Sequence, residues 1–403
     1  MIYKQIIPSF NAIEVKWRDD KDINANSSKL LLMPMPLFFA LFFLLLFAVH
    51  YLFCSRVVKK LLLIPVVKKR LMLLVCVNFI FNILYVLARY TTFTGNTFYY
   101  LFSLSIGITF VLFLYLIIHE VIEVFHKSLK NIDLSKRKFI KKGGDGILLG
   151  LSTAYVAAGA YEGGKEPVVN RVHTNLFDFS IVQISDLHIG GLIDMKFVRE
   201  AVEKINSLDA DIVVITGDLI DTDIHSIGKA VLELTHIRAK HGIYMILGNH
   251  EYFHNPKEII DFIHTETPFT LLLNNAVVLD SLKVNIVGVT DLFGYRAKLL
   301  EPNFPKAFEG IQADYPTILL THQPKSIEEL GHYQPELILS GHTHGGQIWP
   351  FNHLVSLQQP YVKGLHTLPY DGKIYINSGI GFWGPPMRLG SQAEIACFMP
   401  KTI

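Results

Sequence analysis

Three long apolar runs in the first third of the chain constrain the fold more than any other feature. No formally charged residue occurs in residues 31–53, 71–88 or 98–118. A helix needs about 20 apolar residues to cross the hydrocarbon core of a bilayer, so all three runs are long enough, the second only narrowly. A buried core helix would explain one such run, but not three in succession. We therefore predict a polar tail over residues 1–30, followed by three transmembrane helices over these runs.

Residues 146–161 are a possible fourth membrane segment, but they are few and rich in Gly and Ala. The basic stretch before them, residues 135–141, resembles a twin-arginine export signal in which Lys136 replaces the first arginine. The segment either crosses the bilayer or lies along its surface. In both cases we predict a membrane region over residues 31–165, and a multi-pass protein of the inner cell membrane.

The basic charge of the chain is concentrated beside the apolar runs. Residues 54–70 contain six Lys/Arg and residues 127–142 contain seven, which leaves 24 basic against 34 acidic residues elsewhere. The positive-inside rule places both basic loops in the cytoplasm. A nucleic acid is not an expected partner, because the part of the chain outside the membrane region lacks a basic field. Whether residues 170–403 lie on the cytoplasmic or the opposite side of the membrane depends on whether residues 146–161 cross the bilayer. We favour the cytoplasmic side because so short a segment crosses a bilayer poorly.

From about residue 170 the composition becomes that of a globular domain, predicted to extend to residue 403. Short β-rich runs alternate there with amphipathic helical patterns, which is typical of an α/β domain. The predicted strands cover residues 177–185, 211–216, 242–247, 283–289, 316–321, 336–339 and 373–377. The clearest helical patterns cover residues 195–208 and 227–239.

Five of the predicted strands end in residues that commonly ligate metals. In chain order these residues are Asp186 and His188, Asp218, Asn249, His322, and His342 with His344. Ligands collect beyond the carboxyl ends of strands in an open α/β sheet, so we expect all seven in one crevice. The spacing in the Asp-x-His and His-x-His pairs would put both side chains on one side of an extended backbone.

The number of ligands indicates the chemistry. Two Asp, one Asn and four His are too many for one tetrahedral ion, and they suit two divalent ions that share a carboxylate. Such a site keeps a net positive charge, which attracts a phosphate and acidifies a bridging water. This arrangement is typical of phosphoester hydrolysis.

In this order and spacing, the five blocks resemble the calcineurin-like metallophosphoesterase superfamily over about residues 175–400. The resemblance implies an αββα sandwich that holds two divalent ions, with Mn, Fe and Zn as the usual metals. The first ion would be bound by Asp186, His188 and His344, with Asp218 bridging. The second would be bound by Asn249, His322 and His342. His250 would be catalytic: it would contact the phosphate and protonate the leaving oxygen.

The C-terminal residues 361–390 resemble a membrane-associated bacterial branch of this superfamily, which includes pyrophosphatases that split UDP-2,3-diacylglucosamine in lipid A synthesis. The resemblance implies a phosphoester hydrolase or pyrophosphatase whose substrate is a membrane lipid or a lipid-linked nucleotide. Arg388 would either bind a substrate phosphate as a bidentate donor or cap a surface turn. Residues 349–351 and Leu354 would either form an apolar lip for an acyl chain or only pack their loop.

Other features leave alternatives open. Asp221 and Glu251 lie close to ligands in the sequence and would orient one of them, or be turn residues without a role. Asp291, which follows a predicted strand, is a similar candidate. The alternative function is a membrane-anchored phosphodiesterase or phosphatase that acts on soluble nucleotides or phosphomonoesters.

Overall fold

A computed structural model describes residues 35–89, 97–128 and 133–400. By its internal contacts the chain divides into two units between Leu45 and Leu46. The polar tail predicted over residues 1–30 lies outside the described residues.

Within residues 35–89, 97–128 and 133–163, four α-helices precede the sheets: α1 (Met35–Leu52), α2 (Pro65–Arg89), α3 (Thr97–Ser128) and α4 (Leu134–Gly163). Three helical stretches among the described residues are long and apolar enough to cross a membrane: Ala40–Val58, Pro65–Arg89 and Thr97–Phe125. The prediction of three apolar helices is therefore confirmed. The possible fourth segment, residues 146–161, forms the second half of α4, whose first turn is capped by the carboxylate of Asp133.

Buried amides fix the register of α2 against α3. The side-chain amides of Asn78 and Asn82 donate to the hydroxyl of Thr109 over 2.8 and 2.7 Å, and Asn78 also contacts His50 at 3.0 Å. All four side chains are buried. Within apolar surroundings an unpaired amide is costly, so these bonds favour one antiparallel register of the two helices.

Within residues 164–400, the fold is built around two six-stranded mixed sheets. The first has the order β1-β12-β2-β3-β4-β5, and the second has the order β10-β11-β9-β8-β7-β6. The first sheet contains β1 (Val168–His173), β2 (Ile181–Ile184), β3 (Ile212–Thr216), β4 (Ile243–Ile246), β5 (Thr270–Leu271) and β12 (Glu394–Met399). The second contains β6 (Asn275–Leu279), β7 (Val284–Gly288), β8 (Thr317–Leu320), β9 (Leu337–Ser340), β10 (Gly364–Thr367) and β11 (Lys373–Ile376).

The main core lies between the two sheets. Apolar side chains of β2, β3 and β4 meet those of β7, β8 and β9 in one buried cluster that includes Ile181, Val214, Ile286 and Leu339. Alternate strand residues point to the opposite faces, where amphipathic helices bury their own apolar sides. The remaining helices are α5 (Met195–Asn206), α6 (Ile224–Glu233), α7 (Pro256–Glu266), α8 (Phe293–Ala297), α9 (Phe304–Ala307) and α10 (Asn352–Val355). The αββα architecture is confirmed.

Most predicted strands and helices agree with the structure to within two residues at each end, but two differ by more. The first predicted strand, residues 177–185, is reduced to Ile181–Ile184, because Phe177 and Phe179 are buried in the core without joining a ladder. The helix predicted over residues 227–239 is α6, which begins at Ile224 and ends at Glu233 before a single 3₁₀ turn.

Candidate metal centre

The strands of both sheets deliver the predicted ligands to one place. Asp186 and His188 follow β2, Asp218 follows β3, Asn249 follows β4, His322 follows β8, and His342 and His344 follow β9. β2, β3 and β4 are parallel neighbours in the first sheet, and β8 and β9 are parallel neighbours in the second. Their carboxyl ends therefore meet at one edge of the sandwich, as expected for a ligand-binding crevice.

One cluster has the donor set predicted for the first ion. Donor atoms of Asp186, His188 and His344 lie within 4.8 Å of one another, and all three side chains are buried. The Nε2 atoms of His188 and His344 are 3.0 Å apart, and His344 Nε2 is 3.6 Å from Asp186 Oδ1. Buried imidazole nitrogens that converge with a carboxylate are a suitable donor set for a divalent transition metal.

A second cluster has the donor set predicted for the other ion. Donor atoms of Asp218, His322 and His342 also lie within 4.8 Å of one another. His322 Nε2 is 3.2 Å from Asp218 Oδ2 and 3.1 Å from the side-chain oxygen of Asn249. The same Asp218 Oδ2 is 3.9 Å from His188 Nε2 of the first cluster, so its carboxylate lies between the two donor sets, where a bridging ligand belongs.

Burial keeps one histidine of each cluster neutral. Burial, together with the neighbouring His322, lowers the pKa of His342 to about 3. Burial, His188 and Arg388 hold the pKa of His344 well below its usual value. A neutral imidazole is the form that ligates a metal, so both side chains are ready to bind near neutral pH.

The backbone of the ligand loops is left-handed rather than extended. Five of the seven predicted ligands have positive φ angles between 50° and 69°: Asp186, His188, Asp218, His342 and His344. The expectation that each D-x-H or H-x-H pair shares one side of an extended backbone is therefore wrong, although the side chains do converge. Positive φ is uncommon for residues other than glycine, and such strain concentrates at functional sites.

Glycines beside the ligands permit a close approach of the loops. A Cβ atom on Gly341 would lie 2.3 Å from Asp186 Oδ2, and one on Gly248 would lie 2.3 Å from Asp218 Oδ1. No side chain fits in either space. The glycines in these sequence blocks are therefore required by packing at the two carboxylates.

His250 lies beside the centre and is held by a chain of charges. Its Nδ1 is 2.6 Å from Asp221 Oδ1, and Arg89, the last residue of α2, donates to the same carboxylate over 2.9 Å. Burial opposes the ionisation of Asp221, but Arg89 and hydrogen bonds from histidines hold the pKa of this carboxyl well below its usual value. Burial alone would lower the pKa of His250, but the carboxylates of Asp218 and Asp221 raise it.

Glu251 organises the backbone around Asp218. Its carboxylate is fully buried and accepts four backbone N–H groups, from Asp218, Leu219, Ile220 and Gly248, over 2.7–3.1 Å. Glu251 therefore shapes the loops that carry Asp218 and Asn249, and its own carboxylate is not part of the second cluster. Asp291 binds the side-chain amide of Gln323, next to His322, and burial raises its pKa to about 6.

Arg388 lies behind His344 and is only 1% exposed. Its guanidinium donates to the carbonyls of Ser378 and Gly379 over 2.8 and 3.0 Å and lies 3.5 Å from His344 Nδ1. This geometry favours a role in shaping the loop around His344. The predicted contact with substrate stays a prediction.

Sequence reasoning missed the part that the membrane helices play in this site. Arg89 lies in a different region of the sequence from Asp221, and no local pattern connects the two residues. In the sequence, the only sign of this position is that the apolar run of residues 71–88 ends at Arg89.

Comparison with known proteins agrees with this geometry. The family model described as Calcineurin-like phosphoesterase matches residues 179–346. A metallophosphoesterase from Helicobacter pylori is 37% identical over 308 residues, which cover 74% of this chain and 81% of the relative. The chain belongs to this family. Calcineurin-like phosphoesterases use two divalent metal ions, and the two clusters fit that requirement.

Two further relatives carry more specific names. A Bos taurus protein named transmembrane protein with metallophosphoesterase domain is 33% identical over 246 residues, which cover 57% of this chain and 54% of the relative. A Chlamydia muridarum protein named UDP-2,3-diacylglucosamine pyrophosphatase LpxG is 31% identical over 285 residues, which cover 56% of this chain and 84% of the relative. The protein is thus a phosphoester hydrolase, and three of its described helices are long and apolar enough to cross a membrane.

Proposed function

We propose that this phosphoesterase hydrolyses a phosphoester or pyrophosphate bond of a membrane lipid. The observation that carries the proposal is an exposed apolar surface between the membrane helices and the metal centre. We call it the apolar lip and define it as Trp349, Phe351, Leu354, Leu357 and Trp383, all of which are exposed.

The apolar lip is attached directly to the membrane helices. The ring of Phe351 packs edge-on against Phe110 of α3, with centroids 6.1 Å apart. The hydroxyl of Tyr155, on α4, donates to the backbone carbonyl of Trp349. Phe110 lies near the middle of the apolar stretch Thr97–Phe125, so the lip adjoins a helix surface that would face acyl chains, where exposed apolar side chains are favourable.

At its other end the apolar lip reaches the reacting groups. The ring centroids of Trp383 and His250 are 6.1 Å apart, in an edge-to-face arrangement. An acyl chain on the lip would therefore place a phosphate at its headgroup next to His250. This continuity favours a lipid over a soluble nucleotide or phosphomonoester.

The residues of the centre have separate roles in this reaction. The two clusters would hold two divalent ions, which when bound would attract the phosphate and lower the pKa of water. As a water oxygen bonds to phosphorus and the phosphorus–oxygen bond to the leaving group breaks, His250 donates its proton to the leaving oxygen. Because Nδ1 of His250 is fixed by Asp221, Nε2 is the nitrogen free to donate.

The similarity to LpxG suggests UDP-2,3-diacylglucosamine as a specific candidate. Hydrolysis of its pyrophosphate would release UMP and leave a lipid monophosphate. Purified protein in detergent with Mn²⁺ should then show a far higher kcat/KM for the acylated sugar nucleotide than for the unacylated one or for p-nitrophenyl phosphate. Equal values for acylated and unacylated substrates would contradict a lipid substrate, whereas activity on other phospholipids alone would remove only the specific candidate.

Variants of the apolar lip test the same proposal. Phe351→Ala with Leu354→Ala should lower kcat/KM for a lipid substrate by about tenfold or more, because burying each side chain contributes about 1.5–3 kcal/mol. Turnover of p-nitrophenyl phosphate should change less than twofold. Leu365→Ala, at an exposed apolar residue of edge strand β10, is the control and should affect neither substrate. Equal losses on both substrates would show that the lip only supports the fold.

A further inference from the structure

We infer that the catalytic domain lies on the side of the membrane opposite to the basic loops, outside the cytoplasm, and that α4 is a fourth transmembrane helix. This inference goes beyond the proposed function and does not depend on it. It rests on which ends of α2, α3 and α4 touch the phosphoesterase domain.

The phosphoesterase domain contacts the α2–α3 hairpin at the end where α2 finishes and α3 begins. Arg89, at the last residue of α2, pairs with Asp221 at 2.9 Å. Near the start of α3, Tyr99 lies against Gly191, and the hydroxyl of Ser103 donates to the carbonyl of Gly384. These contacts join the hairpin to the loops that surround the metal centre.

The last turns of α4 dock on the same loops. Met387 is fully buried and fills a socket lined by Gly107 of α3 with Gly159 and Gly163 of α4. A Cβ atom on Gly107 would lie 2.3 Å from Met387 Sδ, and one on Gly159 would lie 2.6 Å from Met387 Cε. The backbone N–H of Arg388 also donates to the carbonyl of Gly159 over 2.9 Å. The end of α4 is thus fixed beside the start of α3.

The basic residues gather at the opposite end of the same helices. Arg56, before α2, pairs with Glu120 in the last third of α3 at 3.1 Å. Lys141, in the first third of α4, pairs with Glu123 of α3. α4 therefore runs antiparallel to α3, from the basic end to the catalytic domain.

The length and outer surface of α4 suit a crossing of the bilayer. Lys141 and Gly163 are 22 positions apart along α4, a rise of about 33 Å at 1.5 Å per residue, which is close to the thickness of the hydrocarbon core. Between residues 143 and 161 the one formally charged side chain is Asp145, which is buried. The exposed residues of this stretch include Ile147, Leu151 and Tyr161, so its outer face can contact lipid.

The distribution of Lys and Arg then indicates which end of the helices faces the cytoplasm. Six and seven Lys/Arg occupy residues 54–70 and 127–142, whereas the hairpin end next to the domain contributes only Arg89 between the two apolar runs. The positive-inside rule puts the basic end in the cytoplasm, and the metal centre therefore on the other side. This reverses the cytoplasmic placement that the short Gly- and Ala-rich segment favours. For the proposed function, this placement means that a lipid substrate would be presented by the leaflet on the outward side.

Cysteine labelling tests this placement without any substrate. Cys54, Cys76 and Cys397 are replaced by Ala, and single cysteines are introduced by Lys60→Cys in the first basic loop or Lys196→Cys on α5, both at exposed positions. A membrane-impermeant maleimide should label Lys196→Cys in intact spheroplasts, and Lys60→Cys only after the membranes are opened. The reverse pattern, or labelling of both positions from one side, would overturn the inference.

Two controls separate topology from folding and from function. Turnover of p-nitrophenyl phosphate by each detergent-solubilised variant reports that the domain is folded. Protease treatment of spheroplasts that contain the unmodified chain should cleave the catalytic domain from outside, and full protection would also overturn the inference. A protein without activity on any lipid would contradict the proposed substrate class and leave the labelling pattern unchanged.

Discussion

Arg89 should position His250 through Asp221, although it belongs to a membrane helix. Arg89→Met keeps most of the apolar side chain and removes the guanidinium that donates to Asp221 over 2.9 Å. The two side chains are 23% and 12% exposed, so the pair is largely shielded from water. Without Arg89, the buried negative charge of Asp221 loses its cationic partner, and we expect the carboxylate to hold His250 less firmly.

The expected loss follows from the kind of contact. A hydrogen bond to a charged group contributes about 1.5–3 kcal/mol, and the partial exposure of Arg89 favours the lower end. If this energy serves to orient the proton donor, kcat should fall about 10- to 30-fold, at 1.36 kcal/mol per factor of ten. KM should change little, because Arg89 does not reach the predicted ligands.

Steady-state kinetics of purified variants on p-nitrophenyl phosphate measure this effect. Arg89→Lys should recover most of kcat, since it restores a cation at the same place. In an Asp221→Asn background, Arg89→Met should cause no further loss, because the two residues act in series. Arg56→Met removes a pair with Glu120 that is 55% and 40% exposed, and it should change kcat less than twofold. A wild-type kcat for Arg89→Met, or additive losses in the double variant, would refute the positioning role.

Two further predictions concern His250 and the pH dependence of stability. His250→Ala should lower kcat by about 10²–10⁴-fold, as for loss of a general acid, and leave the melting temperature unchanged. His225→Ala, at an exposed histidine, is the neutral control. A loss under tenfold for His250→Ala would contradict its role. Burial raises the pKa of Asp211, but hydrogen bonds from Ser180 and the ammonium of Lys240 outweigh it and lower the pKa. This carboxylate therefore stabilises the fold above pH about 4, the unfolded-state pKa of Asp, and loses the contribution as pH falls through the folded value. Asp211→Asn should cost about 1–2 kcal/mol at pH 7 and flatten the loss of thermal stability between pH 4 and pH 3, whereas an unchanged acid slope would contradict the assignment.

The strands that carry the site were predictable because their sequences are short, apolar and β-branched. β3 and β7 lie within the predicted residues 211–216 and 283–289. Two strands at one side of the first sheet were not predicted: β1 (Val168–His173) and β12 (Glu394–Met399) pair in parallel, and β12 separates β1 from β2. Such pairing depends on tertiary contacts between distant segments, which no local pattern shows.

The same distinction holds at the site. The ligand blocks were recognisable because each residue type directly follows a strand. The left-handed backbone at Asp186 and His188 was not, because strand periodicity predicts an extended conformation there. The contact of Arg89 with Asp221 depends on how α2 docks on the domain, and the apolar run that contains α2 indicates only a membrane helix.

Metal analysis of the purified full-length chain tests the central claim, a two-ion centre that shares Asp218, most directly. The wild-type protein should contain about two divalent ions per chain, and dialysis against a chelator should remove them together with activity. Asp218→Asn should retain less than one ion, because its side chain is assigned to both. His250→Ala should retain both ions, because its imidazole is assigned to neither. One ion in the wild-type chain with full activity, or a metal-free His250→Ala protein, would contradict this assignment of the centre.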